Sequence, residues 1–587
     1  MNAAPDPSPL LLASCTVDAA EDAAGTAGLV AGTSNTAQTA QTAGTAGTTA
    51  TASLWEQAFP VSVWRTVLGA STVAVQVEGA RATLWGSRDG RRLPLGPLVD
   101  GHREISLAAD DHDWLWVEGE VRSVAWTTAR SITTPQVTVV MPTYRREADA
   151  VAQAARFARM QCVQHVIVVD QGDSLADHDD FRRLQRSAPE IQLITQANLG
   201  GSGGYARGMR ESERFPQDAV LLSDDDAIIS EESLRRMVTF QSLAAQPTIL
   251  GTPLFSAQDP MRLTALSEAV RANDFQWHAA DGVRGPVDLT GTSPDRWTFL
   301  RARGEANYTG WWATLLPPGT VAELGLPAPF FLKWDDAEYG LRATRHGYRH
   351  VVLPGTSVTH PPWDAFRTQM SWTSRVLHRN RLATAAAYDA GRGVILSSLL
   401  HQLKHILSGH HLTATLWDHG IDAFLAGPSS WLGLDLERAR ADGQELVTRW
   451  NARNPTSADA LPTPRAAPLP LAPALLRALL RIVRPDAEPR VVVAMTAEQL
   501  HWRTALGADA VIITDGGSPD GAVHLVRGST ARHLLTRTLG RHLRMALRWS
   551  SLRRQYRRDL PRATTKAAWA EQFDRSVAPS HAENGGS

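Results

Sequence analysis

Three consecutive carboxylates close an apolar run in VLLSDDDAII, residues 220–229. Asp224, Asp225 and Asp226 repel one another, and at the end of a buried strand that repulsion is costly unless a cation offsets it. Alternate residues of an extended chain point the same way, so Asp224 and Asp226 can converge on one ion while Asp225 faces away. Hard oxygen ligands suit Mg²⁺ or Mn²⁺, which commonly bridge a carboxylate to substrate phosphates. The competing explanation is a turn that caps the next helix, SEESLRRM, a task open to Asp225 or Ser230.

A second carboxylate pair stands in FFLKWDDAEYGLRATRHG, residues 330–347. Asp335 and Asp336 open a helix that Gly347 ends. Capping and a favourable dipole contact need only one carboxylate. Two of them, beside Lys333 and Trp334, suggest a base that takes a proton from an acceptor hydroxyl. His360 ends the short strand of LPGTSVTH and is a candidate third metal ligand, although a lone histidine is more often structural. Trp311 and Trp312 in NYTGWW, with Trp363, suit stacking on sugar faces or, alternatively, core packing. QANLGGSGGYARG (196–208) supplies glycines where a backbone approaches a ligand closely. Its Gly201-x-Gly203 nearly matches a dinucleotide fingerprint, but that fingerprint belongs after a first strand and this one follows a third. Metal and phosphate together suggest a nucleotide-diphosphate donor.

These residues need strand ends to hold them. VTVVMPTY (137–144), HVIVVDQG (165–172), IQLITQANLG (191–200) and AVLLSDDD (219–226) are short apolar runs alternating with helical stretches. That rhythm predicts a parallel sheet with helices on both faces and ligands at the carboxyl ends, where Asp170, Asn198 and the aspartates fall. Residues 54–134 alternate apolar and polar positions between Gly- and Asp-rich turns, which predicts a β-sandwich. Residues 1–53 are Ala-, Thr- and Gly-rich and predict a disordered tail. Within it PLLLASC resembles a lipoprotein cleavage site, but no Lys or Arg precedes it and its apolar core is short, so the match is taken as chance. The catalytic unit is expected over 135–385, a mostly helical domain over 386–565 and a flexible tail over 566–587. Between Gly521 and Arg562 eleven arginines face one acidic residue, and Leu535, Leu539, Leu543 and Leu547 recur every four residues. That is a basic amphipathic helix, suited to an anionic membrane surface or to a solvated face on a core helix.

The 587 residues suffice for about three to five domains. A net charge of −1 argues against a nucleic-acid partner, and two cysteines build neither a disulfide framework nor a thiolate metal site. The cysteine usage fits a reducing cytoplasm, and no apolar run has transmembrane length.

Together PTYRRE, VVDQG, QANLGGSGGY, LLSDDD, NYTGWW, FFLKWDDAEYGLR and the His360 strand resemble a family 2 glycosyltransferase with a GT-A catalytic domain. The resemblance is stronger still to the polymerising galactofuranosyltransferases of actinobacterial cell-wall galactan synthesis. It runs from the β domain through the helical region, roughly residues 54–560, and is densest at 136–385. It implies an α/β GT-A domain between an N-terminal β-sandwich and a helical C-terminal domain. It also implies inverting, processive transfer from UDP-galactofuranose to a lipid-linked galactan, with Mn²⁺ or Mg²⁺ as cofactor. Such enzymes are cytoplasmic, peripheral at the inner face of the plasma membrane, and homo-oligomeric, a tetramer being the expectation. Residue by residue, the resemblance assigns Arg145 and Asn198 to the donor, and Asp170, Tyr205, Asp224 and Lys333 are further donor candidates from their places in the motifs. It assigns Asp224, Asp226 and His360 to the metal, and Asp336 to the catalytic base. It assigns Glu268, Trp311, Trp312 and Asp335 to the acceptor, which Trp363 joins as a sugar-stacking candidate. The pattern departs at the phosphate-contacting histidine expected two residues before Arg379-Asn380-Arg381: Leu377 stands there, and His378 follows. Competing readings are another nucleotide sugar such as dTDP-rhamnose, a non-catalytic glycan-binding protein, and a nicotinamide oxidoreductase.

Overall fold

The structure is a computed structural model. It describes residues 9–16, 54–108, 111–280, 285–301, 306–361, 370–434, 436–454, 461–465, 467–497, 499–514 and 522–577.

The apolar runs form a seven-stranded sheet in the order 349–352, 248–251, 314–316, 219–222, 137–143, 163–170, 191–195. Each run is apolar throughout because both faces are covered: every residue of Val137–Thr143 is buried. Val139 and Leu221 enter one core, and Val140 and Leu222 enter the other. Neighbouring strands are parallel except Thr314–Leu316, which runs antiparallel to both of its partners.

A second, five-stranded sheet has the order 228–229, 358–360, 254–256, 262–265, 287–288. Its edge strand Ile228–Ile229 pairs antiparallel with Val358–His360, matching Ile228 to Thr359 and Ile229 to Val358. The aspartate turn therefore connects one sheet to the other, and the same pairing brings His360 up beside it.

The N-terminal strands all belong to one five-stranded antiparallel sheet. The long strands Thr72–Arg88 and Trp114–Thr128 pair along their length, with register shifts at Glu78/Gly79 and Ala80/Thr83. Such bulges bend a sheet.

The expected tail is corrected at both ends. Leu10–Thr16 form an edge strand paired antiparallel with Trp114–Thr128. Leu12 and Ala13 are buried. The Leu11 and Ser14 carbonyls accept from Arg235 at 2.7 Å and Arg236 at 2.6 Å, which ties this strand to the helix Glu231–Leu243. Five apolar residues, a partner edge and two arginines suffice to order a stretch set in low-complexity sequence. At the other end Lys566–Val577 are helical. Trp569 and Phe573 are buried, and the Trp569 indole donates to the Pro327 carbonyl at 2.8 Å.

The C-terminal region is mostly helical, built on Thr373–Ala387, Gly393–Leu407, His411–Ala426 and the 36-residue helix Gly528–Ala563. It also contains an unanticipated three-stranded sheet of Val492–Thr496, Ala510–Thr514 and Ala522–Leu525. The long helix buries Leu534, Met545, Trp549, Leu552, Tyr556 and Leu560. Its periodic leucines lie elsewhere: Leu539, Leu543 and Leu547 are 53%, 62% and 77% exposed.

Candidate active site

The described residues contain one group of three metal-capable side chains: Asp224, Asp226 and His360 offer atoms within 4.8 Å of one another. Asp225 turns inward and accepts from the Thr143 hydroxyl at 2.6 Å. The helix that follows is capped by Ser230, whose side chain accepts from the Ser233 amide, so the aspartates are not needed for that task.

Partners around the cluster sort the charges. The His360 Nδ1 faces its neighbouring Pro361 carbonyl at 2.6 Å, which leaves Nε2 to face Asp226 at 3.2 Å. Burial works against charge on Asp226, but His360 and Arg146 prevail and its pKa falls to about 2. Burial drives Asp225 the other way, to about 7. Burial also raises Asp224, which accepts from the Tyr205 hydroxyl at 2.7 Å. Two carboxylate oxygens and an imidazole nitrogen form a donor set that fits a divalent cation.

Glycine is required beside this cluster. Gly200 opens the helix Gly200–Ser212 at φ +72°, and a Cβ there would stand 2.1 Å from the Phe331 carbonyl oxygen. The glycine-rich helix can thus touch the loop that leads into the second carboxylate pair. That loop is strained: Phe331, Lys333 and Trp334 have φ of +71°, +68° and +74°. Such conformations cost about 1–3 kcal/mol each and cluster at functional sites.

Asp335 and Asp336 occupy the first turn of the helix Asp335–Arg345. Asp335 accepts from the Ser202 hydroxyl at 3.0 Å, and Asp336 from the Ala337 amide at 2.7 Å. Burial raises the pKa of both, and repulsion from Asp335 raises Asp336 further. Burial lowers Lys333, opposed by the charges of Asp336, Asp335 and Asp224, so one ammonium lies in the field of both carboxylate groups.

A cavity of about 310 Å³ collects these parts. Tyr205, Asp224, Glu268, Trp311, Trp312, Lys333, Asp335, Asp336 and His360, all singled out in the sequence, line it. Glu268 accepts from the Tyr308 hydroxyl at 2.6 Å. Trp311 packs edge-on against Tyr205 at 4.9 Å, and the Trp312 indole donates to the Thr252 carbonyl at 3.3 Å. Trp277, missed in the sequence, also lines the cavity and stacks on Trp334 at 5.1 Å. Its signal was an aromatic residue on a short strand paired with the Glu268 strand.

Other expected site residues are not among those lining this cavity. Asp170 is fully buried, and its carboxylate accepts from the Gly172, Ser174 and Leu175 amides at 2.8 Å each, so it shapes the loop that follows its strand. Arg145 is exposed and carried by a left-handed residue (φ +54°). Its neighbour Arg146 is the arginine that pairs with Asp225 and Asp226. Asn198 accepts from the Gly200 amide at 3.0 Å, at the start of the glycine-rich helix. His378 is fully buried, stacks on Trp417 at 3.8 Å and does not line the cavity. Trp363 lies outside the described residues.

Residues 135–384 match the family model "Glycosyltransferase like family 2". Residues 394–575 match "Galactofuranosyltransferase-2, domain 3". The chain is 30% identical over 571 residues to galactofuranosyltransferase GlfT2 of Mycolicibacterium smegmatis (strain ATCC 700084 / mc(2)155), covering 87% of each. It is 29% identical over 566 residues to galactofuranosyltransferase GlfT2 of Mycobacterium tuberculosis (strain ATCC 25618 / H37Rv), covering 87% of this chain and 88% of that one. The chain belongs to the GlfT2 galactofuranosyltransferase family. Among solved structures, mannosyltransferase PcManGT of Pyrobaculum calidifontis, in complex with GDP-Man and Mn²⁺, matches with TM-score 0.31 and 14% identity over 55% of this chain and 84% of that one.

Proposed function

We propose that this chain is an inverting, metal-dependent galactofuranosyltransferase. It moves galactofuranose from UDP-galactofuranose onto a lipid-linked galactan acceptor, repeatedly, in cell-wall polysaccharide synthesis. The meeting of both carboxylate groups in one cavity, with Lys333 in the field of each, carries this reading. The donor is read from the relatives' names.

Asp224, Asp226 and His360 would hold the divalent cation, which when bound offsets charge on the departing diphosphate. Arg145, Tyr205, Asn198 and Lys333 serve the donor. Lys333 adds a fixed positive charge on the leaving-group side. Glu268, Trp311, Trp312 and Asp335 hold the acceptor sugar. Asp336 takes the proton from the acceptor hydroxyl. That oxygen attacks the anomeric carbon from the face opposite the diphosphate, the bond to the diphosphate breaks, and one displacement inverts the centre.

The test is transfer from UDP-galactofuranose with Mn²⁺ to a short galactofuranoside, with products weighed by mass spectrometry. A ladder spaced by one hexose supports the polymerase. Product from dTDP-rhamnose alone would replace the donor. Tight glycan binding without UDP release would replace the enzyme.

Membrane attachment belongs to the same reading. No helix of the described residues is long and apolar enough to cross a membrane. Leu539, Leu543 and Leu547 are exposed on the basic helix, Leu396 and Leu400 on Gly393–Leu407, and Leu471, Leu475, Leu476, Leu479 and Val483 on Leu471–Val483. The three helices pack against one another. Apolar side chains rimmed by arginine suit an anionic lipid surface. Replacing Leu539, Leu543 and Leu547 by Ser is expected to weaken co-sedimentation with phosphatidylglycerol vesicles by about tenfold or more. Transfer to a soluble acceptor should persist. Unchanged sedimentation removes this surface.

A further inference from the structure

Asn380 is fully buried on the helix Thr373–Ala387. Its Nδ2 stands 3.0 Å from the Leu332 and Lys333 carbonyls and 3.2 Å from that of Phe330. The Arg379 Nε donates to its Oδ1 at 3.0 Å, which settles which end of the amide faces the loop. Three carbonyls within four residues converge on one point because Phe331 and Lys333 are left-handed. Extended chain would alternate them. Without donors these buried oxygens would be unsatisfied and the conformation would relax.

The loop is held from its other side as well. The Ser202 amide donates to the Phe331 carbonyl at 3.2 Å, and Ser202 Oγ donates to Asp335. Its last strained residue, Trp334, immediately precedes the helix turn that carries Asp335 and Asp336. Arg381, on the same turn as Asn380, donates to the Phe275 carbonyl at 2.8 Å and the Asp274 carbonyl at 2.6 Å, next to Trp277. Residues 379–381 thus bind the backbone behind both the Lys333 and the Trp277 walls of the cavity.

We infer that Asn380 is a positioning residue for the transfer reaction: its carboxamide fixes the strained loop that presents Lys333, Asp335 and Asp336 to the cavity. This rests on the transferase reading above. An uncharged amide suits the place, since it donates twice without adding charge beside Lys333.

The test is Asn380→Asp, which keeps the shape but sets acceptor oxygens against three carbonyls. Its kcat is expected to fall about hundredfold, with Mn²⁺ affinity, which depends on Asp224, Asp226 and His360, held within about threefold. The acid limb of kcat/KM should move to higher pH as Lys333 leaves the carboxylates. Wild-type kcat overturns the inference. So does a joint loss of kcat, Mn²⁺ affinity and thermal stability, which marks a purely structural residue. If the variant fails to fold, Asn380→Ser faces the same criteria. Should the wild type transfer no sugar, the transferase reading fails by itself. The crystal structure of Asn380→Asp then decides the inference: Lys333 and Trp334 leaving the left-handed region supports it, and an unchanged loop overturns it.

Discussion

Asp336→Asn is expected to lower kcat by about 10²–10⁴-fold, the usual worth of a positioned general base. An amide of the same shape keeps the helix turn but cannot accept the acceptor proton. Mn²⁺-dependent UDP binding should survive, because Asp336 is not among the metal-capable group. The pH profile gives a sharper check. Burial and the neighbouring Asp335 raise the Asp336 pKa, and only the deprotonated form works as a base. The kcat/KM of the free enzyme should therefore rise with pH along an acid limb lying above the ordinary carboxylate range. Asp335→Asn removes the repulsion, so that limb should shift to lower pH. Full activity in Asp336→Asn would take the base away from this residue.

Asp224→Ala is expected to weaken Mn²⁺-dependent UDP binding by about a hundredfold or more, since even outer-shell partners of metal ligands are worth 10–100-fold. Calorimetry with and without a chelator measures it directly. His360→Ala should act in the same direction. Asp225→Asn is the internal control. Its carboxylate bonds to Thr143 and faces away from the group, so the substitution should lower thermal stability more than metal affinity. Equal metal losses in the Asp224 and Asp225 variants would dissolve the assignment of the cluster.

Much of the site was legible in the sequence because its signals are local. An apolar run ending in carboxylates announces a buried strand with charge at its mouth, as at Leu222 and Asp224. A tryptophan pair, a glycine-rich helix start and an Asp-Asp helix entry are likewise short patterns. What was not legible shares one physical origin. Arg145 and Arg146 are neighbours of the same type, and a single left-handed residue decides which one faces the aspartates. Asp170 stands at a strand end as a ligand would, but the loop after it folds back and takes both of its oxygens. Asn380 shows nothing by itself, because its partners are carbonyls 47 to 50 residues away.

The sequence by itself determined the alternation of strands and helices, the chemistry at the strand mouths and the glycosyltransferase family. Periodicity and residue type encode these within a few residues. Tertiary structure alone decided three further matters. Leu10–Thr16 became a strand because a sheet edge and two arginines were waiting for it. Leu539, Leu543 and Leu547 of the long helix stayed exposed because its other face, with Trp549 and Tyr556, had the core to fill. The two carboxylate groups came to share one cavity because Ile228–Ile229 pairs with the His360 strand and the Phe331 loop packs on Gly200. Each depends on which distant surface arrives, and no local pattern carries that information.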